Sequence, residues 1–199
     1  MRNLKPPQTN SAGDKFDAAI RYEGKPSKGM YFILPDKDYP DRPKQIWTQG
    51  ESEDTRYYLP TYDYPNDRLT TETILTVPAS WITVSNGKLI SVTDAGKGLK
   101  TWYWKESVPS STYLITVVAG EFDELKDTWR GIPVTYYAPK GRGDRLAINY
   151  SRTPAMMDLF SKKLGVDYPW EKYAQVMVEA ALRSFIPSWL PNIPPAKTP

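Results

Sequence analysis

The chain has 199 residues, with 26 Lys and Arg against 23 Asp and Glu, and a net charge of +3 this balanced does not give the concentrated basic face that nucleic acid requires. It contains no His and no Cys, which excludes Cys/His zinc sites, nucleophile systems built on an imidazole or a thiolate, and any disulfide. Its 19 Pro, 14 Tyr and 7 Trp point to a mainly β chain of short strands and turns, because proline neither donates to a ladder nor sits inside a helix.

The first 28 residues are polar and rich in Pro, Gly, Ser and Lys, which reads as a loose lead. Met1-Arg2-Asn3-Leu4-Lys5-Pro6-Pro7 carries charge but has no apolar run behind it of the secretory-signal kind, and no stretch approaches the ~20 apolar residues of a membrane span. From Met30 short apolar runs alternate with turn residues, beginning with the strand Met30-Tyr31-Phe32-Ile33-Leu34, stopped by Pro35. Residues 81–85 and 89–93 flank Asn86-Gly87, a pair suited to the positive φ angles of a tight hairpin. Residues 101–105 read as the next hairpin partner, and residues 113–120 and 132–137 as two more apolar strands. Trp102, Tyr103 and Trp104 read as sandwich core rather than as a stacking platform for a sugar or base. Short strands at this spacing predict an antiparallel β-sandwich or saddle whose layers bury one face of each strand.

After Gly141-Arg142-Gly143-Asp144, read as a glycine-rich turn, the period shifts. Met156, Met157, Phe160 and Leu164 recur at helical spacing as a core stripe, and Gly165 is placed to end a helix over about residues 145–164. A strand at residues 173–178 then begins an αβ unit. The expected organisation is a lead at 1–28, a β-saddle domain at 29–145, the start of a second domain at 146–179, and an irregular Pro-rich tail at 180–199.

The densest mixture of polar and aromatic side chains lies in residues 46–66, composed as a pocket wall would be. Gln49 and Glu51 stand two residues apart, so on an extended backbone both project to one side. A carboxylate with an amide beside it suits a ligand ammonium. The plainer alternative is a solvated loop whose Glu and Arg residues pair locally.

These residues resemble the zinc aminopeptidases typified by aminopeptidase N and leukotriene hydrolase. Thr48-Gln49-Gly50-Glu51 is similar to that family's Thr-Gln-x-Glu segment. Leu59-Pro60-Thr61-Tyr62-Asp63-Tyr64-Pro65 is similar to its Phe-Pro-Cys-x-Asp-x-Pro turn, with Leu59, Thr61 and Tyr64 departing from the commonest residues. Pro109-Ser110-Ser111-Thr112-Tyr113-Leu114 resembles the family's Pro-Met-Ser-Thr-Tyr-Leu. Tyr168-Pro169-Trp170-Glu171-Lys172-Tyr173-Ala174-Gln175-Val176 resembles its Tyr-Pro-x-x-Lys-Tyr-x-Gln-Val lead into the catalytic domain.

The resemblance implies a β-saddle N-terminal domain followed by the first αβ unit of a thermolysin-like domain, in enzymes that remove single residues from peptide N-termini with a zinc-activated water. It implies that Glu51 holds the substrate's free α-amine and that Gln49 lines the same first-residue pocket. Peptide is the partner it implies, and zinc the cofactor of the full-length family. Glu179-Ala180-Ala181-Leu182-Arg183-Ser184 stands where the family continues to Gly-x-Met-Glu-Asn, and the family's His-Glu-x-x-His ligands have no counterpart. No catalytic residue, metal ligand or cofactor is therefore expected in this chain, which is expected to be inactive alone and to lack strands upstream of Met30. The rival expectation is a stand-alone β-sandwich module that binds peptide or carbohydrate.

Overall fold

The computed structural model describes residues 17–179 together with Ser11, Gly13 and Lys15. The tail expected at 180–199 lies outside the described residues, and the described part of the lead contains no helix or strand before Met30. The strands are β1 (Met30–Ile33), β2 (Gln45–Thr48), β3 (Arg68–Pro78), β4 (Ile82–Ser85), β5 (Lys88–Gly96), β6 (Leu99–Ser111), β7 (Val117–Gly120), β8 (Phe122–Trp129) and β9 (Ile132–Pro139). The helices α1 (Asp144–Tyr150) and α2 (Thr153–Leu164) follow, and then β10 (Tyr173–Val176). The molecule is mainly β, as its composition requires.

Among the described residues the strands form three sheets, ordered β1-β2-β7-β4, β3-β6-β5 and β10-β9-β8. Every pairing is antiparallel except that of β10 with β9. The β8–β9–β10 sheet is the middle layer, and strand alternation divides its side chains between two cores. On one face Phe122 and Tyr137, with Ala174 and Val176, meet Ile33, Trp47, Val84 and Val118 of the β1-β2-β7-β4 sheet. On the other face Trp129, Val134, Tyr136 and Ala138 meet Leu146 of α1 and Met157 of α2. The strand expected at 173–178 thus pairs with β9, expected at 132–137, in a sheet completed by β8, which was not anticipated. Further ties hold the layers: the Trp129 indole and Arg130 both donate to Asp158 Oδ1, at 2.8 and 2.9 Å, and Thr153 Oγ1 donates to Gln175 at 2.9 Å.

Three expectations are corrected. Asn86-Gly87 does not close a hairpin, because β4 pairs with β7 and β5 pairs with β6, so the turn carries the chain from one sheet to another. Asn86 Nδ2 donates to the Leu114 carbonyl at 2.9 Å and its Oδ1 accepts the Thr116 N–H at 2.6 Å, partners about thirty residues away. Gly87 has φ +72° and lies against the Lys105 carbonyl, so close that a Cβ would collide with it. Second, the single helix expected over 145–164 is two helices, broken at residues 151–152. Pro154, in the first turn of α2, has no N–H to give the Tyr150 carbonyl and cannot continue α1. Gly165 does end α2 in the left-handed region, at φ 71°. Third, the helical apolar stripe is not core throughout: Met157 is 8% exposed, but Met156, Phe160 and Leu164 are 51, 60 and 70% exposed. Spacing identifies an apolar face; only packing says whether anything covers it.

The long strand β3 was not anticipated, although Leu69, Thr71, Thr73, Leu75 and Val77 alternate inward along it. Trp104 of β6 is core, 3% exposed, with its indole N–H donated to the buried Thr83 hydroxyl at 2.9 Å. Tyr103, on the opposite face of that strand, donates to Glu72 at 2.7 Å.

Candidate functional site

The segment that follows β2 is fixed at both ends before Glu51 is reached. Thr48 Oγ1 accepts the Val117 N–H at 2.9 Å, and the Gln49 N–H donates to the Gly29 carbonyl at 2.8 Å. Gly50 is buried against Tyr113; a Cβ there would stand 2.6 Å from the Tyr113 carbonyl oxygen and collide with the Thr55 hydroxyl, so only glycine fits. The Asp54 N–H then donates to the Gly50 carbonyl at 2.8 Å, which folds residues 51–54 into a turn.

Asp63 braces this turn from behind. Its carboxylate is 3% exposed and accepts the Thr112 hydroxyl at 2.6 Å and the Arg56 N–H at 2.9 Å. Arg56 Nη2 donates to the Asp63 carbonyl at 2.7 Å and to Glu53 Oε2 at 2.6 Å. Fully buried Thr55 donates to the Thr112 carbonyl at 3.2 Å, and Ser111 to the Pro65 carbonyl at 2.9 Å. Residues 50–65 are thereby stitched to residues 111–115. Tyr58 completes the seam: its hydroxyl donates to the Ile115 carbonyl at 3.1 Å, and burial pushes its pKa upward.

Glu51 and Gln49 occupy different positions on this frame. Gln49 is half-buried; Glu51 is exposed, at the start of the turn, and its carboxylate has no ion pair or hydrogen bond among the described residues. The extended backbone assumed for the pair stops at Gly50, so alternation along a strand does not place the two side chains together. The local Glu–Arg pairing that would have explained the segment as a solvated loop involves Glu53 and Asp63, and leaves Glu51 out. The largest cavity beside the turn, about 900 Å³, is walled by Tyr22, Met30, Phe32 and residues 56–62, and neither Gln49 nor Glu51 lines it. The structural hub of the segment, Asp63, was legible only as part of a motif; its burial and its partner Thr112, 49 residues away, were not.

Residues 2–114, more than half of the 199-residue chain, match the Peptidase M1 N-terminal domain. Over 132 residues the chain is 32% identical to Aminopeptidase M1-B of Oryza sativa subsp. japonica, covering 66% of this chain and 15% of that protein. Over 159 residues it is 23% identical to the transcription initiation factor TFIID subunit 2 of Gallus gallus, covering 78% of this chain and 14% of that one. The crystal structure of an M1 zinc metallopeptidase from Deinococcus radiodurans, bound to a Tyr-Ser-Ala substrate, matches with a TM-score of 0.60 and 26% identity over 73% of this chain and 36% of that chain. The chain therefore spans only a small part of the length of the relatives it matches. The zinc named for the Deinococcus enzyme does not fit the residues present: the chain has no His, and among the described residues no group of three Asp or Glu is gathered for a metal ion. In sequence and in fold the chain belongs to the Peptidase M1 N-terminal domain family.

Proposed function

We propose that this chain is the N-terminal-domain portion of a zinc aminopeptidase, and that in the complete enzyme Glu51 holds the α-ammonium of a peptide's first residue with Gln49 beside it. The observation that supports the reading is a free, exposed carboxylate on a turn hydrogen-bonded to residues 111–115, while the neighbouring carboxylates Glu53 and Asp63 are occupied by Arg56 and Thr112. A carboxylate held on such a frame selects a terminal ammonium without reorganising, and so fixes which peptide bond is presented for cleavage. In this reading the residues present orient substrate and include no His to hold a zinc ion, so the chain alone does not hydrolyse peptides.

The test has two parts. The 199-residue chain, incubated with aminoacyl chromogenic substrates, releases no product above background. In a complete relative such as the rice aminopeptidase, converting the residue aligned with Glu51 to Ala lowers kcat/KM for free-N-terminus peptides by about 1–3 kcal/mol of transition-state binding. Unchanged selectivity for free over acetylated N-termini overturns the assignment. A second reading, a binding module without peptidase activity, draws support from the likeness to a transcription initiation factor subunit. It is favoured if the Glu51→Gln chain still binds peptides as the parent does.

A further inference from the structure

A second cavity, about 290 Å³, lies where the ends of β4 and β6 meet the approach to β10. Glu106 and Lys172 both line it. Glu106 is 2% exposed; its Oε1 accepts the Val108 N–H at 2.9 Å, and its other oxygen has no partner among the described residues. Ser110, 6% exposed, also lines the cavity, and its hydroxyl makes no hydrogen bond among the described residues. The Lys172 ammonium forms no ion pair among the described residues and lies 5.3 Å from the centre of the Trp104 ring. Burial lowers its pKa to about 8, partly opposed by the charge of Glu106. The segment is anchored: Glu171 accepts the Ser107 N–H at 3.3 Å and pairs with Lys88 at 3.3 Å. Val84, Leu114 and Val176 supply apolar wall, and the Tyr168 and Trp170 rings, 5.2 Å apart, another.

A buried carboxylate and a partly buried ammonium held apart in one cavity are each unfavourable without a partner. A simple anion entering to meet Lys172 would face Glu106, a simple amine would face Lys172, and a neutral molecule would leave both unmatched. The volume is at the lower end of small-molecule sites, which run from roughly 300 Å³ upward. We propose that this cavity binds a zwitterion of amino-acid size with an apolar side chain, its ammonium on Glu106 and its carboxylate on Lys172 and Ser110. The site is separate from Glu51, and no role in peptide cleavage is needed for it.

Calorimetric titration of the 199-residue chain with leucine, acetyl-leucine and leucinamide tests it. Leucine binds, and each analogue, lacking one charge, binds about tenfold or more weakly. Glu106→Gln removes the discrimination against acetyl-leucine and Lys172→Met the discrimination against leucinamide, with folding of each variant checked by circular dichroism; Ser110→Ala, the mildest change, weakens leucine and acetyl-leucine, which carry the carboxylate, and leaves leucinamide unchanged. Equal binding of all three ligands overturns the proposal, as does no leucine binding up to about 10 mM. Loss of the acetyl-leucine discrimination in Glu51→Gln but not in Glu106→Gln moves the ammonium site to Glu51, and also overturns it.

Discussion

Replacing Asp63 by Ala tests whether the turn that presents Glu51 is held from behind by one buried carboxylate. The substitution strands two donors, the Thr112 hydroxyl, on a residue with 0% exposure, and the Arg56 N–H. A buried polar group left without its partner costs about 1–3 kcal/mol, so the two together predict about 2–6 kcal/mol. The 3.7 Å contact with Arg56 Nε adds little, because the Arg56 side chain is 35% exposed and solvent screens it. The expected loss is about 3–5 kcal/mol, a large part of the ~5–15 kcal/mol that holds a typical domain. Asn, which keeps the shape and one acceptor, loses about half as much. Urea unfolding followed by tryptophan fluorescence measures it. A double-mutant cycle with Thr112→Val isolates a coupling of about 1.5–3 kcal/mol for the charge-assisted bond. A loss below about 1 kcal/mol for Asp63→Ala, with coupling near zero, would refute the argument that this carboxylate braces the segment.

Gly87→Ala destabilises by at least about 2 kcal/mol in the same assay, because a positive φ and a collision with the Lys105 carbonyl act together; a loss of a few tenths means the turn relaxes freely. Stability also depends on pH in a two-sided way. Lys172, with its folded pKa lowered to about 8, binds fewer protons folded than unfolded above that pH, so stability rises by about 1 kcal/mol between pH 8 and 9. Above pH 10 it falls, because burial raises Tyr168 to about 12 and Tyr137 further, and the unfolded chain loses those protons first. Lys172→Met abolishes the rise and keeps the fall; a rise that persists in the variant belongs to another group. On α2, Met157→Ala loses about 2–5 kcal/mol while Leu164→Lys changes stability by no more than about 0.5 kcal/mol, and equal losses would place Leu164 in the core after all.

What the sequence by itself determined is what local stereochemistry controls. The mainly β character follows from many prolines and aromatics, the ends of β1 and α2 from Pro35 and Gly165, and the likeness to zinc aminopeptidases from motifs whose order survives in a linear chain. Glu51 and Gln49 were legible because a Thr-Gln-x-Glu run can be read without knowing its surroundings. Only the tertiary structure decided that β4 and β5 belong to different sheets, since a strand's ladder partner is set by packing far along the chain and not by the turn beside it. The same holds for the bonds of Asn86 to Leu114 and Thr116 and of Asp63 to Thr112, which span 28 to 49 residues, and for the solvent-facing side of α2. Glu106 and Lys172 are 66 positions apart and become one site only when β10 docks beside β9. Burial then makes two ordinary charges demand a partner, which no periodicity in the chain could announce.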